Sequence, residues 1–201
     1  MKVENKIMYH IHTSNEYDDM WRENNEFMVD DNFISKCGRA IPDFNTICYN
    51  TDGEKGSLAY AIKYYLEEEI EHQDPEVMRD LLEYVYMIIS NANRTKCEMA
   101  LEICRSNYFS SLPSRLHSIW GTDKDGIEFW RHKLLGSDVY ELSLTGELFK
   151  SSAILLPNDN LTLEKSIKQA EYYWNPVFIP EAEKKKEYLF QGKVLVKKKL
   201  L

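Results

Sequence analysis

The sequence predicts an α+β fold, in which strands near both ends of the chain flank a block of helices. Side chains alternate in MYHIHT, in DVYELSLTGELF and in EYLFQGKVLV, as expected of strands. Between residues 57 and 106 the apolar residues recur instead at helical spacing. Runs of strands and helices of this kind are typical of the α+β class.

The predicted first strand carries two histidines on alternate positions. Because side chains alternate between the two faces of a strand, His10 and His12 share one face, opposite to Tyr9 and Thr13. A histidine beside a tyrosine can hold a polar ligand through both ring nitrogens and by ring contact. A half-buried structural pair would produce the same pattern, so the residues alone leave both interpretations open.

The helical block is expected to contain three helices. Apolar residues from Leu58 to Ile70 indicate the first, and Asp74 followed by Pro75 is a favoured start for the second, which ends near Asn93. Thr95-Lys96-Cys97-Glu98 matches a capping box and predicts the start of a third helix.

The segment LPSRLHSIW predicts a loop that leads into a strand over residues 117–121. Arg115 can bind a phosphate or carboxylate through two parallel hydrogen bonds, and Ser114 can add a hydroxyl. Trp120 offers a flat surface for stacking. A surface arginine and a core tryptophan are the structural alternatives. Beyond this strand, Asp123 is expected to cap a short helix.

The last third of the chain predicts a strand over SDVYELSLTGELF, a helix over residues 161–174 and a final strand in EYLFQGKVLV. Glu187 stands at the start of that final strand, directly after three lysines. A carboxylate at such an edge can stabilise developing positive charge or act as a base. Pairing with a surface lysine is the alternative.

The composition is that of an acidic globular protein. The 201 residues carry a formal net charge of -8, which argues against extended, unspecific binding to nucleic acid. No run approaches the roughly 18 apolar residues of a membrane helix, and the first residues lack a signal-peptide core. A cytoplasmic protein without membrane contact is therefore expected.

Four cysteines are present, and none forms a CxxC pair. Reduced thiols and no metal site are therefore expected. They are Cys37, Cys48, Cys97 and Cys104.

Four segments together resemble the diphtheria-toxin-type ADP-ribosyltransferases, which include the rifampin ADP-ribosyltransferases and the DNA-modifying DarT-like enzymes. MYHIHTS resembles their first strand, and SIWGTDKDGIEFWRHKL resembles a strand and helix of the rifampin enzymes. DVYELSLTGELF resembles the next strand of those enzymes, and EYLFQGKVLV resembles the closing strand. Most of the chain also resembles a family of bacterial and phage domains with the same YH, PSRxxSIW and TGELF segments.

This resemblance implies one ADP-ribosyltransferase-like domain over residues 1–201, with a split, mostly antiparallel sheet and a helical insertion at about 57–106. It implies NAD as substrate, and it places His10 and Glu187 on opposite walls of one dinucleotide-sized cleft as the catalytic pair. The implied NAD-binding residues are Tyr9, His10 and Thr13 for the nucleotide and ribose, Ser114 and Arg115 for the diphosphate, and Trp120 for nicotinamide.

The chain departs from the transferase pattern at three places. Ile11 replaces the usual glycine after the histidine, and Trp120 stands where a tyrosine is usual. The rifampin enzymes carry an aspartate after the TG pair, where this chain has Lys150-Ser151-Ser152. Glu187 takes the acidic role only if the chain follows other branches of the superfamily.

The implied function is transfer of ADP-ribose from NAD to an acceptor, which can be a protein, a nucleic acid or a small molecule. Two alternatives share the fold. One is a non-catalytic protein that binds a nucleotide or a protein partner, for which the helical insertion is a possible surface. The other is an NAD glycohydrolase.

Overall fold

The computed structural model describes residues 1–12, 18–35, 47–49, 55–57, 62–63, 66–67, 74–134, 138–176 and 180–201. The predicted α+β class is confirmed, since these residues form a five-stranded antiparallel sheet, a two-stranded ribbon and three helices. The chain divides into two compact units, one formed by Met1–Arg39 with Lys96–Leu201 and the other by Ala40–Thr95.

Seven strands and three helices have defined bounds. The strands are β1 (Lys2–His12), β2 (Glu26–Val29), β3 (Ile47–Tyr49), β4 (Lys55–Ser57), β5 (Ile119–Gly121), β6 (Asp138–Ser152) and β7 (Lys186–Lys199). The helices are α1 (Pro75–Tyr108), α2 (Ile127–Lys133) and α3 (Leu163–Trp174). Short 3-10 helices occur at Asp18–Trp21, Arg115–His117, Lys124–Gly126, Ala153–Leu155 and Pro180–Lys185.

The five-stranded sheet lies in the first unit and has the order β1-β6-β7-β2, with β5 also pairing with β7. All of its pairs are antiparallel. An isolated backbone bridge between Tyr9 and Thr122 joins β1 to the residue that follows β5. The path from β1 through β6, β7 and β5 therefore returns to β1. In the second unit β3 pairs with β4.

The glycine of the Thr145-Gly146 pair in β6 is needed because β6 and β7 approach each other closely at this point. Gly146 lies opposite Gly192 of β7, and both have positive φ, +157° and +137°. A Cβ at Gly192 would lie 2.6 Å from the carbonyl oxygen of Thr145. The ring of Phe190 covers both glycines. Side chains at these two positions would separate β6 from β7.

The two faces of the sheet carry two separate apolar cores. The first face contains Met8, Trp21, Leu142, Leu148, Phe190 and Val194. The second face contains Phe149 and Leu189, which pack against Leu101 and Cys104 of α1 and Tyr173 and Trp174 of α3. Neighbouring residues of β7 therefore lie in different cores, as a strand with both faces covered requires.

The predicted break between the second and third helices is wrong, because α1 is continuous from Pro75 to Tyr108. Its start is confirmed, since Asp74 accepts a hydrogen bond from the backbone N–H of Glu76 at 2.8 Å. The predicted capping box does not form. The hydroxyl of Thr95 is buried without a partner in the described chain, and the carboxylate of Glu98 binds an arginine instead.

The remaining expectations are met to different degrees. The alternation in β6 is confirmed, with Tyr140, Leu142 and Leu144 on the first face. α3 begins at Leu163 under a cap from Thr162. β5 is shorter than predicted, since residue 117 belongs to a 3-10 turn. Most of the helix expected over residues 58–70 lies outside the described residues.

Candidate functional site

The bridge between β1 and β5 brings His10 beside the backbone of Trp120. Tyr9 and Thr122 exchange two backbone hydrogen bonds of 2.9 and 2.8 Å. His10 Nδ1 consequently lies 2.6 Å from the carbonyl oxygen of Trp120. Because a carbonyl oxygen only accepts hydrogen bonds, Nδ1 carries the proton and donates it. Pairing of the two strands thus fixes both the tautomer and the orientation of this ring.

Two further aromatic side chains hold His10 in place on the first face. Its ring stacks on Trp21, with centroids 4.1 Å apart and planes 8° apart. His12 is buried and lies tilted against the same indole at 5.2 Å, beside Tyr140 at 6.0 Å. The predicted shared face of His10 and His12 is confirmed by their centroid separation of 5.8 Å.

His10 is neutral at physiological pH. Burial lowers its pKa to about 4; the hydrogen bond to the carbonyl of Trp120 opposes this shift, and the nearby His12 adds to it. In the neutral ring Nε2 has no hydrogen and acts as an acceptor. Nε2 has no hydrogen-bond partner within the part of the chain that the structure describes. Nε2 is therefore an acceptor whose direction is fixed by the contacts of the ring with Trp120 and Trp21.

The other predicted site residues of the first strand are Tyr9 and Thr13. Tyr9 is half-buried on the opposite side of β1, and its backbone forms the bridge to Thr122. Thr13 lies outside the described residues, so its expected role stays a prediction.

On the second face, Arg115 is the centre of a buried polar network. It is 1% exposed and donates to Glu98 from Nε at 2.8 Å and from Nη2 at 3.0 Å. Its Nη1 donates to the hydroxyl of Tyr173 and to Oε1 of Glu187. Tyr173 also donates to Oε1 of Glu187. One cation thus joins α1, α3 and β7 to the turn that precedes β5.

The network keeps Arg115 charged and Tyr173 neutral. Burial lowers the pKa of Arg115, but the effects of Glu98, Tyr173 and Glu187 outweigh burial and raise that pKa well above its ordinary value. Burial also raises the pKa of Tyr173 well above its ordinary value, against the opposing charge of Arg115. Oε2 of Glu187 is buried with no hydrogen-bond partner among the described residues.

Ser114 and Trp120 lie beside the buried polar network of Arg115. Ser114 is buried and donates to Oε2 of Glu102 at 3.1 Å. The guanidinium of Arg115 lies 4.1 Å from the ring centroid of Trp120, whose Nε1 donates to the carbonyl oxygen of Arg115. One surface of this indole therefore stacks on an internal cation.

The expected arrangement of His10 and Glu187 on two opposing walls of one cleft is wrong, because the two side chains lie on opposite faces of the sheet. His10 stacks on Trp21 in the core of the first face. Glu187 pairs across the strands with Ser151, and both bind Tyr173 in the core of the second face. The sheet itself lies between the two side chains.

Sequence reasoning missed three residues that shape these sites. The capping-box pattern predicts that Glu98 caps a helix, whereas its partner in the structure is Arg115, 17 residues further along the chain. Tyr173 fits the inward face of α3, which predicts burial but no partner. Trp21 stands in a segment without clear periodicity. No local signal in the sequence identifies any of these contacts.

No group of three histidine, cysteine, aspartate or glutamate side chains in the described residues could hold a metal ion. Cys97 and Cys104 are buried free thiols. Burial raises the pKa of each thiol to about 11, which makes them poor nucleophiles.

These features define an α+β protein with a histidine acceptor on one face of an antiparallel sheet and a buried arginine network on the other. Residues 8–200 match the family described as protein of unknown function (DUF2441), and the chain belongs to this family. No protein with a curated description matches the chain. Among the described residues no helix combines the length and the apolar character needed to cross a bilayer.

Proposed function

We propose that the chain has an ADP-ribosyltransferase-like fold, binds NAD and transfers ADP-ribose to an acceptor. Support comes from the four segments that resemble the transferases. They correspond to β1, β5, β6 and β7, which are neighbours in a single antiparallel sheet. Segments dispersed over the sequence from residue 8 to residue 196 thus meet in one structure, as a shared binding site requires.

The observation that carries the proposal is the fixed acceptor of His10. Its Nδ1 is held by Trp120 and its ring by Trp21, so Nε2 has a defined direction before any ligand arrives. A ribose hydroxyl or a carboxamide N–H is the matching donor. Because the ring is already oriented, binding costs little side-chain entropy.

The proposed reaction breaks the bond between the ribose C1′ and nicotinamide, whose nitrogen takes the electron pair. The ribose becomes oxocarbenium-like, and an acceptor nucleophile then bonds to C1′ and loses its proton. His10 would orient the ribose without donating a proton, because it is neutral. Glu187, the residue that the resemblance implies for the ribose, is left out because its carboxylate binds Arg115 and Tyr173 on the opposite face.

Calorimetric titration with NAD tests the binding step, and release of free nicotinamide tests the chemistry. We expect His10→Ala to weaken NAD binding about tenfold, the effect of losing one well-placed hydrogen bond. His117→Ala is the matched control, since His117 also bonds a backbone carbonyl through Nδ1, that of Phe33 at 2.8 Å. Absence of NAD binding by the unaltered protein, or equal losses in the two variants, would overturn the proposal.

A non-catalytic nucleotide-binding protein is the second candidate. The engagement of Glu187 in an internal network favours it, because the implied acidic residue is then unavailable to substrate. NAD binding without release of nicotinamide supports this candidate. Release that is independent of any added acceptor identifies an NAD glycohydrolase instead.

A further inference from the structure

A second polar site lies on the exposed side of α2, separate from His10. Five of the residues that the structure describes line a pocket of about 520 Å³: Lys124, Ile127, Glu128, Arg131 and His132. Positions 124, 127 or 128, and 131 or 132 follow one another at three- and four-residue spacing, which places them on the same side of successive turns. The volume is within the range of small-molecule sites.

Arg131 is the unusual member of this pocket. It is half-buried, and its Nε is buried with no hydrogen-bond partner among the described residues. Glu128 stands three positions before it, a spacing that permits an ion pair, yet none forms. A desolvated N–H donor without an acceptor is unfavourable, so the internal contacts of this half-buried arginine are incomplete.

The other arginines that the structure describes all have side-chain partners. The pairs are Arg22 with Asp19, Arg79 with Glu83, Arg94 with Asn91, Arg105 with Glu102 and Arg115 with Glu98 and Glu187. In a chain with a net charge of -8, acidic partners are abundant. An arginine left without one, beside a lysine and a histidine, therefore marks a place suited to an external anion.

We propose that this pocket binds a phosphate group, whether as free phosphate or as part of a small molecule. Two oxygens of a tetrahedral phosphate group can accept two parallel hydrogen bonds from the planar guanidinium. Lys124 adds a flexible positive charge on the same side. Glu128 reduces the local positive charge, which favours a ligand held by directed contacts with Arg131 over a diffuse field. The inference goes beyond the proposed function and does not depend on it.

The test is calorimetric titration with inorganic phosphate, pyrophosphate and adenosine monophosphate, in a buffer with 150 mM chloride and without NAD. We expect Arg131→Ala to weaken pyrophosphate binding at least tenfold. Lys133→Ala is the matched control, because it removes the same charge two positions further along α2, where the ammonium lies 5.2 Å from the centroid of Trp130 and outside the pocket lining. This control should weaken binding less than twofold.

The outcomes separate the possible ligands. Tighter binding of adenosine monophosphate than of inorganic phosphate identifies a nucleotide, and equal binding identifies the free oxyanion. Arg131→Lys, which keeps the charge but loses the planar fork, should show an intermediate loss and guards against misfolding of the alanine variant. No binding of any of the three compounds at millimolar concentration, or equal losses in Arg131→Ala and Lys133→Ala, would overturn the inference. Because NAD is absent, failure here leaves the proposed function untouched.

Discussion

The two faces of the sheet use their polar side chains in opposite ways. On the second face, Arg115 donates four hydrogen bonds, all of them to buried protein groups. On the first face, Nδ1 of His10 donates a hydrogen bond to a backbone carbonyl, and Nε2 has no partner among the described residues. Residue type alone would favour the arginine as the ligand-binding group. The comparison shows that availability depends on what the fold leaves unpaired.

The largest expected effect comes from removing the cation of the second face. Arg115→Met leaves the carboxylates of Glu98 and Glu187 buried without a counter-charge, which we expect to cost about 3–5 kcal/mol of unfolding free energy. Urea denaturation measures the loss. Arg22→Met, at a pair exposed on the surface, should cost less than about 1 kcal/mol. A loss below about 1 kcal/mol at Arg115 would show that the network contributes little to stability.

The first face should instead respond to pH. The pKa of His10 lies near 4 in the folded protein, below its ordinary value of about 6.5, so between these values the unfolded chain binds more protons. The stability contributed by His10 is therefore complete above about pH 6.5 and is lost as the pH falls towards 4. The maximum change over this interval is about 3–4 kcal/mol, at about 1.4 kcal/mol for each pH unit.

Comparison with His10→Gln isolates this contribution, because other groups titrate equally in both proteins. Unfolding free energies of the two proteins should approach each other as the pH is lowered from 7 to 4.5. His117→Gln, which replaces a histidine with a similar bond to a carbonyl, serves as the control. Parallel pH profiles for His10→Gln and the unaltered protein would contradict the buried, neutral state of His10.

The smallest effect tests whether Glu187 has a structural or a reactive role. Glu187→Gln keeps the shape and removes the charge that Arg115 and Tyr173 bind, so we expect a loss of about 1–3 kcal/mol. Any nicotinamide release by the unaltered protein should persist within about twofold, when measured well below the melting temperature. Loss of release in a folded Glu187→Gln variant would return this residue to the reaction.

Local patterns predicted much of the fold. Alternation placed His10 and His12 on one face, and the Asp74-Pro75 pair identified the first residue of α1. The four-residue pattern at Thr95–Glu98 wrongly predicts a helix start. A capping box and a glutamate in the middle of a helix that binds a distant arginine can have the same local sequence. Tertiary packing of Glu98 against Arg115 decided between them.

The sequence by itself determined the periods: a repeat of two residues for the strands, a repeat near 3.6 for the helices, and hence the α+β class. Only the tertiary structure decided which charges meet. Side-chain periodicity is a property of neighbouring residues, whereas the partner of a charged group depends on which distant elements pack together. For this reason Arg115 forms buried ion pairs inside the protein, whereas Arg131, with the same guanidinium group, lines a pocket and has no ion pair among the described residues.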